Sequence, residues 1–176
     1  MATNENTPFG FRYAGNLDGG SPAVREYTHA AADACGIGKG CHVDYTGAVD
    51  TVAQGVAAGP AIGVSLGYGA ISTLAKIPVL MASPSTIFEV QEDGNTGTAS
   101  EGLICNTVTA IAPSTVTQLS KVQLSSTTAG TTATQAWRLF AVSPRVGNDG
   151  TSTNAKWLVL CNALRMGGAA TPLVGV

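Results

Sequence analysis

The sequence predicts an all-β protein, built as a small β-barrel or sandwich-like domain. Two observations carry that expectation: at least six short runs of β-forming residues, and Gly, Pro, Asn, Asp or Ser clusters that punctuate them. A third is the Gly/Ala-rich middle, Gly55 to Ala70, where glycine makes regular helix costly.

The elements follow in chain order. Residues 1–22 end in NLDGGSP and read as an extended N-terminal arm. Phe9, Phe11 and Tyr13 alternate within it, so all three can project to one side of an extended segment. They would then tuck onto the chain's own core or pack onto a neighbour, and with Arg12 they form the candidate partner interface. Residues 23–166 form the β-rich domain. Its beginning carries a conflict. Ser21 and Pro22 suit an N-cap and first helical residue, and Gly36 suits a stop, so local propensity favours helix from Pro22 to Cys35. Tyr27-Thr28-His29 instead has strand character.

Strands are expected at Cys41–Tyr45, Lys76–Met81, Thr86–Glu92, Leu103–Ile111, Thr115–Leu124 and Gln135–Ser143. Residues 144–155 are a loop. Trp157 to Leu164 is apolar on both faces and short enough for a central strand, although Trp157, Leu160, Cys161 and Leu164 also fall at helical spacing. Gly55–Ala70 reads as loop or irregular strand against neighbouring backbone, and residues 167–176 as a short C-terminal tail.

Composition narrows the function. The chain has 176 residues, 44% hydrophobic and 11% charged, with a net charge of −2. A typical globular protein is about 25% charged. No two Lys or Arg residues are adjacent, so no basic run exists to neutralise successive phosphates, and direct nucleic-acid binding is not expected. The polar first eight residues lack the apolar core of a signal peptide. The longest uncharged stretch, Thr51 to Ala75, is too rich in Gly and hydroxyl residues to be read as a membrane span. The expected product is cytosolic at synthesis. Such a low-charge, hydroxyl-rich surface repels its own copies poorly and suits an assembly in which much of it is covered.

No enzyme or cofactor reading survives the motifs. Gly63-Val64-Ser65-Leu66-Gly67 matches a nucleophile elbow, but both histidines, His29 and His42, precede Ser65, against the Ser–acid–His order of that motif. His29, Cys35, Cys41 and His42 offer zinc's preferred donors without the spacing of a finger. Gly36-Ile37-Gly38-Lys39-Gly40 lacks the register of a phosphate loop. Glu89, Glu92, Asp93 and Glu101 match no calcium-loop spacing. Cys105 and Cys161 behave as small core hydrophobes.

FGFR at residues 9–12, leading through NLDGGSP into VREY and GIGKGCHV, resembles a layout of small capsid decoration, or cement, proteins of tailed bacteriophages. Those proteins open with an F-G-[FL]-R-like arm and a G-S-P turn, followed by a Tyr-containing strand and a Gly-bounded hydrophobic strand. The resemblance covers about the first forty-five residues by motif. It implies strand at Arg25–His29 and a turn at Ala30–Ala34. It also implies a virion protein on the capsid exterior, often a trimer or dimer, whose partner is the major capsid protein and which bridges capsomers against genome pressure. Alternatives are another phage structural component (tail, collar or head fibre), a Ser65-dependent hydrolase or a small-ligand-binding β-barrel.

Overall fold

The computed structural model describes residues 4–46, 48–71, 73–108, 111–131, 134–164 and 173–174. Early strands are β1 (Arg12–Asn16), β2 (Val24–His29), β3 (His42–Thr46), β4 (Ala48–Gln54), β5 (Gly63–Ser65), β6 (Lys76–Met81) and β7 (Thr86–Gln91). Later come β8 (Ile104–Cys105), β9 (Thr107–Val108), β10 (Gln123–Leu124), β11 (Trp137–Val142), β12 (Lys156–Cys161), β13 (Ala163–Leu164) and β14 (Leu173–Val174). The fold is all-β, as the turn-punctuated strand runs predict; its helical content is a single 3₁₀ turn at Thr98–Ser100 among the described residues.

Five strands close a barrel in the order β2-β4-β3-β5-β6. Closure leaves these strands no free edge. β2 and β4 run parallel, with Thr28 opposite Thr51, and the other barrel neighbours are antiparallel. A second, wholly antiparallel sheet has the order β1-β7-β12-β11-β8. Two-stranded ladders join β9 to β10 and β13 to β14. One contiguous core runs through barrel and sheet, from Val43, Val64 and Ile77 to Phe88, Trp137 and Trp157. Its tryptophans are fully buried, and burying side chains of this size supplies most of the driving force for folding.

Tertiary pairing decides the conflict after Pro22. Val24–His29 is strand because it is hydrogen-bonded between β6 and β4, and a turn at Ala31–Ala32 and a bend at Ala34–Cys35 follow. The helix that local propensity favours over Pro22–Cys35 does not form, and the strand expected at Arg25–His29 does. An alanine stripe buries too little apolar surface to compete with a place in a closed barrel.

Lys76–Met81 is strand at its expected bounds, and β12 answers the ambiguity at Trp157 in favour of strand. Leu103–Ile111 divides into β8 and β9. Thr115–Leu124 is strand only at Gln123–Leu124. Upstream, the Ser114 hydroxyl accepts the Thr117 N–H, the Ser114 carbonyl accepts the Gln118 N–H, and Gln118 has a φ of 59°. Hydroxyl side chains that bond nearby backbone in this way favour turns over ladders. The Gly/Ala-rich middle is mostly loop around β5, where Gly63 lies against the Leu80 backbone with no space for a side chain.

The segment expected as an arm is continuous with the domain. β1 forms one edge of the sheet, pairing Arg12 with Glu89 and Tyr13 with Phe88, and Asn4 ties the chain's start to the 144–155 loop through bonds to Asp149 and Thr153. Of the expected tail, only Leu173–Val174 lies among the described residues. No helix among them is long and apolar enough to cross a membrane.

Candidate functional site

The FGFR segment and Tyr13 are the candidate interface, and the structure divides them. Phe9 and Phe11 are both buried in this chain's own core. The Phe11 ring lies 4.3 Å from the Trp137 ring centroid and meets Phe88 and His42 edge-on at 6.3 and 6.0 Å. Arg12 and Tyr13 face outward, Tyr13 with 45% of its surface exposed. The chain turns between the two phenylalanines, where Gly10 takes a φ of +72°, outside extended geometry, yet both rings stay buried and only Tyr13 departs from the expected shared side.

The segment is fixed by the glycine run that looked like a phosphate loop. Gly40 accepts the Phe11 N–H at 2.7 Å. Gly40 itself has a φ of +84°, and a Cβ there would lie 2.8 Å from the Phe11 carbonyl and 2.9 Å from that of Phe9. These glycines therefore serve close backbone approach.

Two adjoining cavities open on this segment, sharing Phe9, Arg12 and Leu119. The first, about 300 Å³, is mainly apolar, with Phe11, Tyr13, Leu66 and Leu80 in its walls. The second, about 490 Å³, carries Arg12, Lys121, Arg145 and Lys156. Nine Lys and Arg residues exist in the whole chain, so nearly half line one cavity. No linear spacing joins positions 12, 121, 145 and 156. They meet because β1, the Ser114–Lys121 turn, the 144–155 loop and β12 converge there, and sequence reasoning missed three of them. Arg12 stacks on Phe9, its Cζ 3.9 Å from the ring centroid. The loop is shaped by Asn148, whose amide donates to the Ser143 and Lys156 carbonyls.

Glu89 lies beneath this cluster, buried, with Arg145 Nε at 2.5 Å and the Ser143 hydroxyl donating at 2.6 Å to the same oxygen. The acidic group containing it is dispersed: Glu92 is buried separately and accepts the Thr96 N–H and hydroxyl at 2.9 and 2.7 Å. Burial raises the Glu92 carboxyl above the usual range, against those hydrogen bonds.

The remaining candidates have structural surroundings. Ser65 is buried, its hydroxyl donating to the Gly38 carbonyl and accepting the Cys41 N–H at 3.2 Å. His29 Nε2 lies 3.2 Å from Asp33 Oδ2, and Asp33 also accepts the Cys35 and Gln54 N–H groups. His42 is fully buried, and desolvation pushes its pKa down to about 4. Burial pushes the Cys41, Cys105 and Cys161 thiols up to about 12. The cysteines are unpaired, and among the described residues no group of three His, Cys, Asp or Glu side chains is placed to hold a metal.

Comparison with protein-family models, curated proteins and solved structures gave no match.

Proposed function

We propose that this chain is a structural virion protein that binds the outside of a phage capsid and stabilises it by bridging capsomers. The major capsid protein is its partner, and it self-associates as a trimer or dimer. The observation that carries this reading is exposed apolar side chains on a chain with 11% charge. Leu17 and Val24, each more than half exposed, flank the junction between β6 and β7, and Tyr13 lies on the adjoining strand. Leu66, Ile71 and Leu74 form a second exposed group in the loop after β5. Apolar groups displayed with so little charge mark surfaces that another protein covers. The motif layout of residues 9–45 gives the partner its class, and a closed barrel gives the rigid body that bridging needs. On a symmetric shell many weak contacts add through multivalency.

The test is binding to purified, expanded empty shells. Saturating protein should raise the shells' disruption temperature, and no rise would refute the proposal. Tyr13→Asp combined with Leu17→Asp should weaken binding at least about tenfold, as expected for charges placed in an apolar contact. Full binding by that variant, with its melting temperature unchanged, would remove this face from the interface. Deleting residues 1–13 is a poor test, because it removes Phe9 and Phe11 from the core.

A further inference from the structure

The basic cavity has more positive charge than the fold needs. Of its four cations, Arg145 is compensated by Glu89. Arg12, Lys121 and Lys156 form no ion pair with a carboxylate among the described residues, and no acidic side chain lines the cavity. In a chain of net charge −2 this gathers uncompensated charge on one face. Mutual repulsion of gathered cations opposes folding, so the arrangement is best relieved by an anionic ligand.

The walls specify which anion. Side-chain cations hold phosphate and carboxylate alike, so the charge alone does not choose between them. Beside its cations this cavity has the Ser114 and Thr117 hydroxyls and an apolar side made of Phe9 and Leu119. Arg12, Phe9 and Leu119 are shared with the neighbouring apolar cavity, so charged and greasy surfaces run on continuously. Phosphate would fill only the charged part. A peptide bearing both carboxylates and apolar side chains would fill both, with arginine able to grip a carboxylate through two parallel hydrogen bonds. We infer that these two cavities form a docking groove for an acidic, partly apolar segment of another protein. The inference stands independently of the capsid reading.

A labelled peptide alternating glutamate and leucine, titrated with the purified full chain and followed by fluorescence anisotropy, tests it. Saturable binding is expected, weakening as salt rises from about 50 to about 200 mM. The same peptide with glutamine for glutamate should not bind. Lys121→Glu should weaken binding about fivefold or more, because it replaces attraction with repulsion at an exposed position that packs no core. Its melting temperature should stay that of the wild type. Equal binding of the glutamine peptide, or an unaltered affinity in a folded Lys121→Glu variant, would overturn the inference. So would an oligonucleotide or inorganic phosphate that binds this site when the peptide does not. No shells are used, so failure here leaves the capsid proposal untouched.

Discussion

Acid should destabilise this protein through His42 well before most carboxylates titrate. His42 is buried without access to water, against the rings of Phe11 and Trp137, with the Thr107 hydroxyl 3.5 Å from its Nε2. Its pKa falls from an ordinary 6.5 to about 4 because burial penalises the charged form. The unfolded chain therefore takes up a proton near pH 6.5 and the folded chain only near pH 4. The stability this neutral ring confers is complete above pH 6.5 and is lost progressively as pH falls toward 4. A depression of that size corresponds to about 3 kcal/mol across the window. Glu92 works in the opposite direction, since a raised carboxyl pKa makes acid favour the folded state. Comparison with His42→Leu isolates the histidine, because Glu92 is common to both chains. Urea unfolding followed by the fluorescence of buried Trp137 and Trp157 should show the wild-type midpoint falling by about 1.5 M more than the variant's across that window, taking about 2 kcal/mol per molar urea. Parallel pH profiles for the two chains would refute the assignment.

Two further outcomes follow from packing and burial. Gly40→Ala should cost about 2 kcal/mol or more, from its positive φ and from the Phe9 and Phe11 carbonyls that crowd the new methyl group; an unchanged melting temperature would show that the FGFR segment is not fixed there. A thiol reagent at pH 8 should modify Cys35 in the folded protein and reach Cys41, Cys105 and Cys161 only on unfolding, because those three are buried and their thiolates suppressed; rapid modification of all four would contradict the burial.

Much of the fold was legible locally. Lys76–Met81 and Thr86–Gln91 announce themselves by β-forming residues between turn residues, and their bounds agree with the sequence reading to within a residue. Val24–His29 was ambiguous because Ser21-Pro22 and Gly36 frame a helix around residues that include the strand-like Tyr27-Thr28-His29, and its place between β6 and β4 depends on partners distant in the chain. Thr115–Leu124 misled because its threonines and valines favour strands by composition, yet here hydroxyl side chains of the segment bond nearby backbone. At the candidate site, the FGFR motif lies beside the two cavities, but alternation could not anticipate that Phe9 and Phe11 are buried while Tyr13 is exposed. The basic cavity left no linear trace, since isolated cations become a cluster only when four separate segments converge.

The division of strands between the two sheets also sets an order in time. Every barrel strand lies between Val24 and Met81, so an emerging chain can close the barrel from that stretch alone. β1 precedes the barrel in sequence but pairs only with β7, and Phe11 finds Trp137 only after most of the chain has followed. Long-range closures of this kind are slow because the entropy of the intervening loop is lost before the contact forms. Gly40 and His42 of the barrel stretch can meet Phe11 early, whereas its Phe88 and Trp137 partners arrive only later in the chain. The same short segment thus emerges before the barrel strands and completes its packing only after them, and in that interval its aromatic residues are a route to aggregation.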